Sequence, residues 1–409
     1  MSDFFKKQAL LFGIIAGAII GAGAGIFFPD FSIKMKILGD LFLNALKMMV
    51  IPIIVVSMIS GITNLQGTKR LGKLGLRTLV YYLSTTGIAV AIGMMMVLSI
   101  KPGLGFPLSG AEIPEKISTE TSYSVVDMIE SLIHPNLFQA AAEMKILPII
   151  IASILFGLAL NAIGEKGETA ISFFASLNDA VMKLVRWIMF FAPIGIFALI
   201  AYRFGITGGG NAVVNLIRSL GKYFITVVSA LTIHSVIILA MILLFFGKRN
   251  PINYFFTVGK ALLTAFATAS SSATLPITME CVSEEGGVSK KTSGFVLPLG
   301  ATINMDGTAM YEAVAAIFIA QSYGIELAGA KLLIVFFTAT IAGIGAAGIP
   351  EAGLVTMVLV LQSVGLPVEG IGMILAIDWL LDRCRTTVNV WGDAVGACVI
   401  DYYESRNEE

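Results

Sequence analysis

Uncharged stretches long enough to cross a bilayer recur through the first 250 residues of this chain, at 8–29, 48–68, 78–100, 146–164, 187–202 and 223–247. Each is near or above the ~17 residues that a helix needs to span hydrocarbon. In that solvent every backbone amide and carbonyl must find a partner inside the protein, so the stretches predict six conventional transmembrane helices. Apolar residues make up 56% of the 409 and charged residues 13%, a balance foreign to soluble domains. Net charge is zero, with 27 basic and 27 acidic residues and no basic tract, which argues against nucleic-acid binding. Cys281, Cys384 and Cys398 have no paired spacing, and His134 and His234 are the only histidines, so no zinc or haem site is expected. Lys6 and Lys7 precede the first stretch as in a signal peptide, but no small-residue cleavage site follows, and the run reads as a retained helix. Basic clusters at Lys6/Lys7, Lys69/Arg70/Lys73/Arg77, Lys248/Arg249 and Lys290/Lys291 place the N-terminus and the loops after the second and sixth helices in the cytoplasm.

After residue 250 the apolar segments are interrupted. SSSATLP at 270–276 and GAAGIP at 345–350 are runs of small residues ending in proline, and each is expected to break its helix. We read two helical hairpins that enter the membrane and turn back. Each precedes an N-x-x-G-x element, NMDGT at 304–308 and NVWGD at 389–393. Hairpin followed by polar helix, twice, has the form of a diverged internal repeat. Paired interrupted segments of this kind mark a transporter's binding site near the midplane.

The stretch DWLLDRCRTTVNVWGDA at 378–394 holds three carboxylates and two guanidinium groups. At 100° per residue, Asp378, Asp382, Arg385, Thr386, Asn389 and Asp393 fall within about 100° of arc, with Arg383 at the edge. Five ionised side chains at roughly 2.5 to 3.5 kcal/mol each would oppose insertion by about 12 to 18 kcal/mol, so this helix cannot face lipid. Either the charges pair among themselves in a buried network that fixes packing, or they line a polar ligand site. For a ligand site, Arg385 offers a planar fork for a carboxylate, Asp382 an anion for an ammonium group, and Asn389 and Thr386 neutral hydrogen bonds. That combination matches an acidic amino acid, whose second carboxylate would meet donors of the Ser270-Ser271-Ser272 run.

Asp306 and Asp393 each adjoin a Gly and an Asn in segments expected to unwind, where carbonyls plus a carboxylate form an oxygen cage for Na⁺. Glu312 stands in an apolar helix six residues past Asp306, either as a proton carrier or as a neutral acid that only packs. His234 is read as packing. SSSATLP lacks a GxSxG elbow, so an enzyme is not expected.

SSSATLPITM (270–279), LPLGATINMDGTAMYEAVAAIFIAQ (297–321), IGAAGIPEAG (344–353) and DWLLDRCRTTVNVWGDAVGA (378–397) closely resemble the dicarboxylate/amino acid:cation symporters. That family includes archaeal aspartate transporters and animal excitatory amino acid transporters. Weaker similarity at 81–93 and 134–160 extends the match along the chain. The resemblance implies an all-α polytopic membrane protein with eight transmembrane helices, two re-entrant helical hairpins and inverted repeats. It would be a homotrimer in the plasma (inner) membrane with both termini cytoplasmic. Residues 8–69 would be scaffold helices 1 and 2, 73–101 helix 3 of the transport domain, and 123–202 scaffold helices 4 and 5. Residues 213–409, with helix 6, hairpin 1, helix 7, hairpin 2 and helix 8, would complete a transport domain that moves like an elevator.

Carried over by motif, Asp382 would hold the substrate ammonium, Arg385 its side-chain carboxylate, and Asn389 with the Ser271 backbone its α-carboxylate. Thr308, Thr386, Ile349 and Gly353 would complete the pocket. One Na⁺ would sit among Gly300, Asn304, Asn389 and Asp393, and a second near Tyr82, Thr85, Thr86, Asn304 and Asp306. A third would lie near Thr302, Met305, Gly343 and Ile344. Glu312 follows the animal branch, which implies H⁺ co-transport and, as a further expectation, K⁺ counter-transport. Ala269 stands where some archaeal members carry arginine, and Arg383 supplies that charge from the last helix. Gly343 replaces the usual serine, and Glu351 is unusual at its position. The function expected is therefore sodium-coupled symport of glutamate or aspartate, with a C4-dicarboxylate or neutral amino acid carrier as the alternative within the family and an anion channel outside it.

Overall fold

A computed structural model of the chain describes residues 2–63, 69–104, 133–143, 146–206, 211–345, 348, 350 and 352–405. Among the described residues there are helices and turns and no strand, as segments that must satisfy their backbone internally require. The first long helices are α1 (Ser2–Phe27), α2 (Lys36–Thr63), α3 (Lys69–Ile100) and α4 (Ile146–Ala162), each overlapping an expected span. α5 (Glu168–Phe190) and α6 (Ala192–Ile206) follow, and the span expected at 187–202 straddles their junction. A search for uncharged runs misplaces it because α5 exposes Asp179 and Lys183 while burying Val181 and Val185, so charges lie within the helix without facing the core. α7 (Asn211–Ile233) continues through a π-helical turn at His234–Leu239.

α1 lies along α6 because of a row of glycines. A Cβ at Gly17 would stand 2.4 Å from the Pro193 carbonyl oxygen, and one at Gly21 would stand 2.6 Å from that of Phe197. In hydrocarbon, apolar burial gives helices no reason to associate, and small residues four apart let backbones touch instead. The outside of the molecule is apolar, with Phe27, Phe190, Phe256 and Leu263 each more than 70% exposed, a coat suited to lipid rather than water. Pro29–Thr63, Leu74–Ile100 and Ile217–Phe245 are long and apolar enough to cross a membrane.

The C-terminal half is built from shorter pieces. α8 (Gly259–Thr268) and α9 (Ser271–Glu280) pack together across a break at Ala269 and Ser270. Pro276 lies inside α9 rather than at the turn. The chain reverses instead through the left-handed backbone of Ala269, φ 51°, followed by Ser270, whose hydroxyl accepts from the Ala273 amide and starts α9. α10 (Lys290–Ile303) and α11 (Asp306–Ser322) follow one another across a two-residue interruption at Asn304 and Met305. α12 (Ala330–Gly345) and α13 (Ala352–Ser363) pack together, with the GAAGIP run between them described at Gly345, Gly348 and Pro350. α14 (Ile371–Ser405) packs on α8, α10 and α11. α11 is the centre of this half, buried at every residue from Asp306 to Ala320.

Of the two N-x-x-G-x elements, only NMDGT unwinds. NVWGD lies within the uninterrupted α14, which corrects the expectation of a second break. Its glycine serves a close approach: a Cβ at Gly392 would stand 2.8 Å from Asn304 Nδ2. Gly17→Ala should lower stability by about 1–3 kcal/mol, as overpacking against backbone does. Gly23→Ala, whose Cβ meets nothing within 4 Å, should be neutral or stabilising. Thermal unfolding of the two purified variants separates the cases.

Candidate functional site

The site is organised by the interruption at Asn304 and Met305. α11 restarts at Asp306, leaving amides at its first turn that need acceptors. Asn389 of α14 supplies one, its Oδ1 accepting from the Gly307 amide at 2.8 Å, while its Nδ2 donates to Thr308 Oγ1 at 3.2 Å. Gly307 is required there, because a Cβ would stand 2.7 Å from the Arg385 carbonyl oxygen. Above the break is a small cavity. Ser271 from the start of α9, Thr308, Gly353 from α13, and Asp382, Thr386 and Asn389 from α14 all line it. Of the expected pocket residues, Ile349 lies outside the described residues, as does Glu351.

Arg385 is beside the cavity rather than in its wall. The guanidinium is fully buried and donates to Asp378 Oδ1 at 2.9 Å and to Asp382 Oδ1 at 2.7 Å. Its face lies over the Tyr311 ring, 3.8 Å from the centroid, a stacked cation–π contact available to arginine. Asp382 therefore touches both Arg385 and the cavity. Such a triad is stable in an apolar interior only while both partners stay, since removing one leaves an uncompensated buried charge.

Arg383, at the edge of the stripe, donates to the Phe266 and Ala267 carbonyls at 2.8 and 2.6 Å. These are carbonyls of the last turn of α8, where a cation also complements the helix dipole. Arg383 thus sits against the segment that ends in Ala269. The two helix pairs meet over the cavity, where the Gly348 carbonyl accepts from Ser270 Oγ at 2.6 Å and from the Ser272 amide at 3.0 Å.

The residues expected around cations divide into three groups. Asn304 Nδ2 donates to Asp393 Oδ1 at 2.9 Å, and a Cβ on Gly300 would come within 2.3 Å of that same oxygen. Asn304 Oδ1 is buried with no protein partner, an oxygen donor of the kind a hard cation takes. Thr85 and Thr86 donate to Asp306 Oδ1 at 3.2 and 2.7 Å. The Tyr82 hydroxyl donates to the Val296 carbonyl and lies beside Gly300, where a Cβ would stand 2.5 Å from it. In the third group a Cβ on Gly343 would lie 3.4 Å from Met305 Cβ, whereas Thr302 is exposed and bonds its own helix at Leu299. Ile344 is buried nearby.

Glu312 is buried on α11 and accepts from Thr356 Oγ of α13. Three contributors were not read from sequence. His234, treated as packing, is fully buried with Nε2 2.9 Å from Asp306 Oδ2, and it opens the π-helical turn of α7. The signal for it was cost, because a histidine in a membrane helix needs a polar partner, and π-bulges favour functional positions. Tyr311 and Thr356 carried no such signal. Replacing Arg383 by methionine should release the two α8 carbonyls, each hydrogen bond to a charged group contributing about 1.5–3 kcal/mol at most. The expected outcome is a lower melting temperature and a several-fold weaker substrate affinity, read by thermal unfolding and by binding titration.

A family model described as the sodium:dicarboxylate symporter family matches residues 10–403. Excitatory amino acid transporter 3 of Mus musculus is 38% identical, over 99% of the chain and 87% of the mouse protein. Excitatory amino acid transporter 2 of Mus musculus is 39% identical, over 100% of the chain and 81% of that protein. An excitatory amino acid transporter of Caenorhabditis elegans is 37% identical, over 100% and 90% respectively.

Proposed function

The chain belongs to the sodium:dicarboxylate symporter family, and we propose that it is a sodium-coupled secondary transporter of glutamate and aspartate. The observation that carries the substrate class is the shared position of Asp382, which bonds Arg385 and lines the cavity. An acidic amino acid entering there exchanges one internal pair for two external ones. Its ammonium group takes Asp382, its side-chain carboxylate takes the fork of Arg385, and its α-carboxylate meets Asn389 and the amides that begin α9. A neutral amino acid would release Arg385 from Asp382 without providing a carboxylate, and a dicarboxylate without an amine would leave Asp382 uncompensated.

Sodium is the coupled ion, and the oxygen donors of Asn304, Asp306, Asp393, Thr85 and Thr86 are proposed to hold it. Asn389 and Asn304 connect these groups to the substrate cavity, so cation binding and substrate binding would order the same break. Glu312 is proposed to carry a proton with the substrate, and potassium to return in exchange. We further propose eight membrane spans with the α8–α9 and α12–α13 pairs as re-entrant hairpins, a homotrimer in the plasma membrane with both termini cytoplasmic, and an elevator-like movement of the part containing α3 and α7 to α14.

Purified protein in liposomes with an inward sodium gradient should accumulate labelled glutamate or aspartate above equilibrium; uptake of neither under any cation gradient overturns the proposal. An anion channel would only dissipate gradients. Arg385→Ala should reduce acidic amino acid uptake by about 100-fold or more, the scale of breaking a buried pair of charges. Glu312→Gln should flatten the pH dependence of uptake while leaving its sodium dependence in place, measured as initial rates across a pH series.

A further inference from the structure

Thr356 stands between the buried acid and the substrate cavity. Its hydroxyl donates to Glu312 Oε1. The same hydroxyl lies 3.4 Å from the Ala352 and Gly353 carbonyl oxygens of its own helix. Ala352 and Gly353 line the cavity, and a Cβ on Gly353 would stand 3.4 Å from Arg385 Nη2. Glu312 Oε2 is buried with no hydrogen-bond partner.

A threonine hydroxyl carries one hydrogen and cannot serve two acceptors fully. While Glu312 is ionised, that hydrogen goes to the carboxylate, as a charge-assisted bond. Once a proton binds Glu312, the acid can donate it to Thr356 Oγ, and the threonine hydrogen turns to the carbonyl of Ala352 or Gly353, the usual acceptors for a threonine in a helix. We propose that Thr356 is a positioning residue that couples proton occupancy of Glu312 to the first turn of α13, and through that turn to amino acid binding in the cavity. This rests on the reading of Glu312 as the proton carrier.

Few other charges face Glu312. Arg385 of α14 acts on it and is itself paired with Asp378 and Asp382. α13 carries no titratable side chain, and α12 has only Lys331, in its first turn. The basic residues of α3 occupy its N-terminal end, and α7 has Arg218 and Lys222, both exposed. On α11 itself the other carboxylate is Asp306, held by Thr85, Thr86 and His234. Thr356 is therefore the direct hydrogen-bonding control on this acid.

The test is sodium-driven uptake of labelled glutamate into proteoliposomes across a pH series, for the unaltered protein, Thr356→Val, Thr356→Ala, Thr356→Ser and Glu312→Gln. Thr356→Val keeps the volume and removes the donor. It should move the pH of half-maximal uptake toward alkaline values by about one unit, the scale of one hydrogen bond to a charged group. It should also raise KM several-fold more than it lowers the maximal rate. Thr356→Ala should shift the profile in the same sense if the valine variant does not fold, and Thr356→Ser should restore both profile and KM. In the Glu312→Gln background, Thr356→Val should produce no further pH effect. If Glu312→Gln flattens the profile but Thr356→Val and Thr356→Ala leave it in place, the coupling role is overturned and the carrier reading stands. A serine variant that shifts as far as valine also overturns it, by showing that packing and not the hydroxyl matters. If Glu312→Gln keeps the full pH dependence, the carrier reading itself falls, and the coupling with it.

Discussion

A helix buried among apolar residues can be interrupted only where other protein groups take over its freed amides and carbonyls, and the break at Asn304 and Met305 depends on α14 for that service. Asn389 accepts from the Gly307 amide and donates to Thr308, while Asn304 reaches Asp393. Both partners lie on one face of a continuous helix. That continuity is necessary, because two unwound segments facing each other would leave each without a fixed partner. Gly307 and Gly392 remove the side chains that would otherwise hold the two elements apart. The glycines of both motifs thus serve the close approach of α14 to the break, Gly307 against the Arg385 backbone and Gly392 against Asn304.

The same rule governs the charges. Arg385, Asp378 and Asp382 are buried together within α14, where their insertion cost is met by mutual pairing and by the Tyr311 face. Internal pairing and ligand binding, which the sequence leaves as alternatives, are compatible here. The triad is paired internally, yet Asp382 also lines the cavity, so one of its carboxylates remains within reach of a ligand. The network that stabilises the free protein is the one a ligand would rearrange.

Legibility followed chemical cost. The stripe from Asp378 to Asp393 could be read because each charge has a large insertion penalty and a helical phase, and all its members are buried on α14 as expected. The helices α1 to α4 overlap runs that the sequence shows as uncharged. The α5–α6 junction was not visible in this way, because exposed charges on α5 masked a helix whose inner stripe is apolar. Pro276 misled for a related reason: proline reports a lost amide, but the chain turned where Ala269 adopted a left-handed backbone and Ser270 offered a cap. His234 reads as a lone packing residue in the sequence because periodicity assigns a face and says nothing of which distant residue meets it. Its contact with Asp306 depends on α7 and α11 lying together, a tertiary fact. Tyr311 and Thr356 were unreadable for the same reason, being ordinary residues on apolar helices.

Two polar axes cross at α11. One runs from His234 through Asp306 to Thr85 and Thr86 and joins α7 to α3. The other runs from Glu312 through Thr356 to the start of α13 and the cavity wall. They share a helix buried on every side, so neither carboxylate can change its partners by moving into solvent. Any change in occupancy at one of them must be absorbed by the neighbouring helices. On the cavity side, the neighbour that Glu312 touches is the first part of α13, at Thr356. Its Thr356 hydroxyl reaches α11 and has the Ala352 and Gly353 carbonyls as alternative acceptors, and just before this helix the Gly348 carbonyl accepts from Ser270 Oγ and the Ser272 amide of the α8–α9 pair.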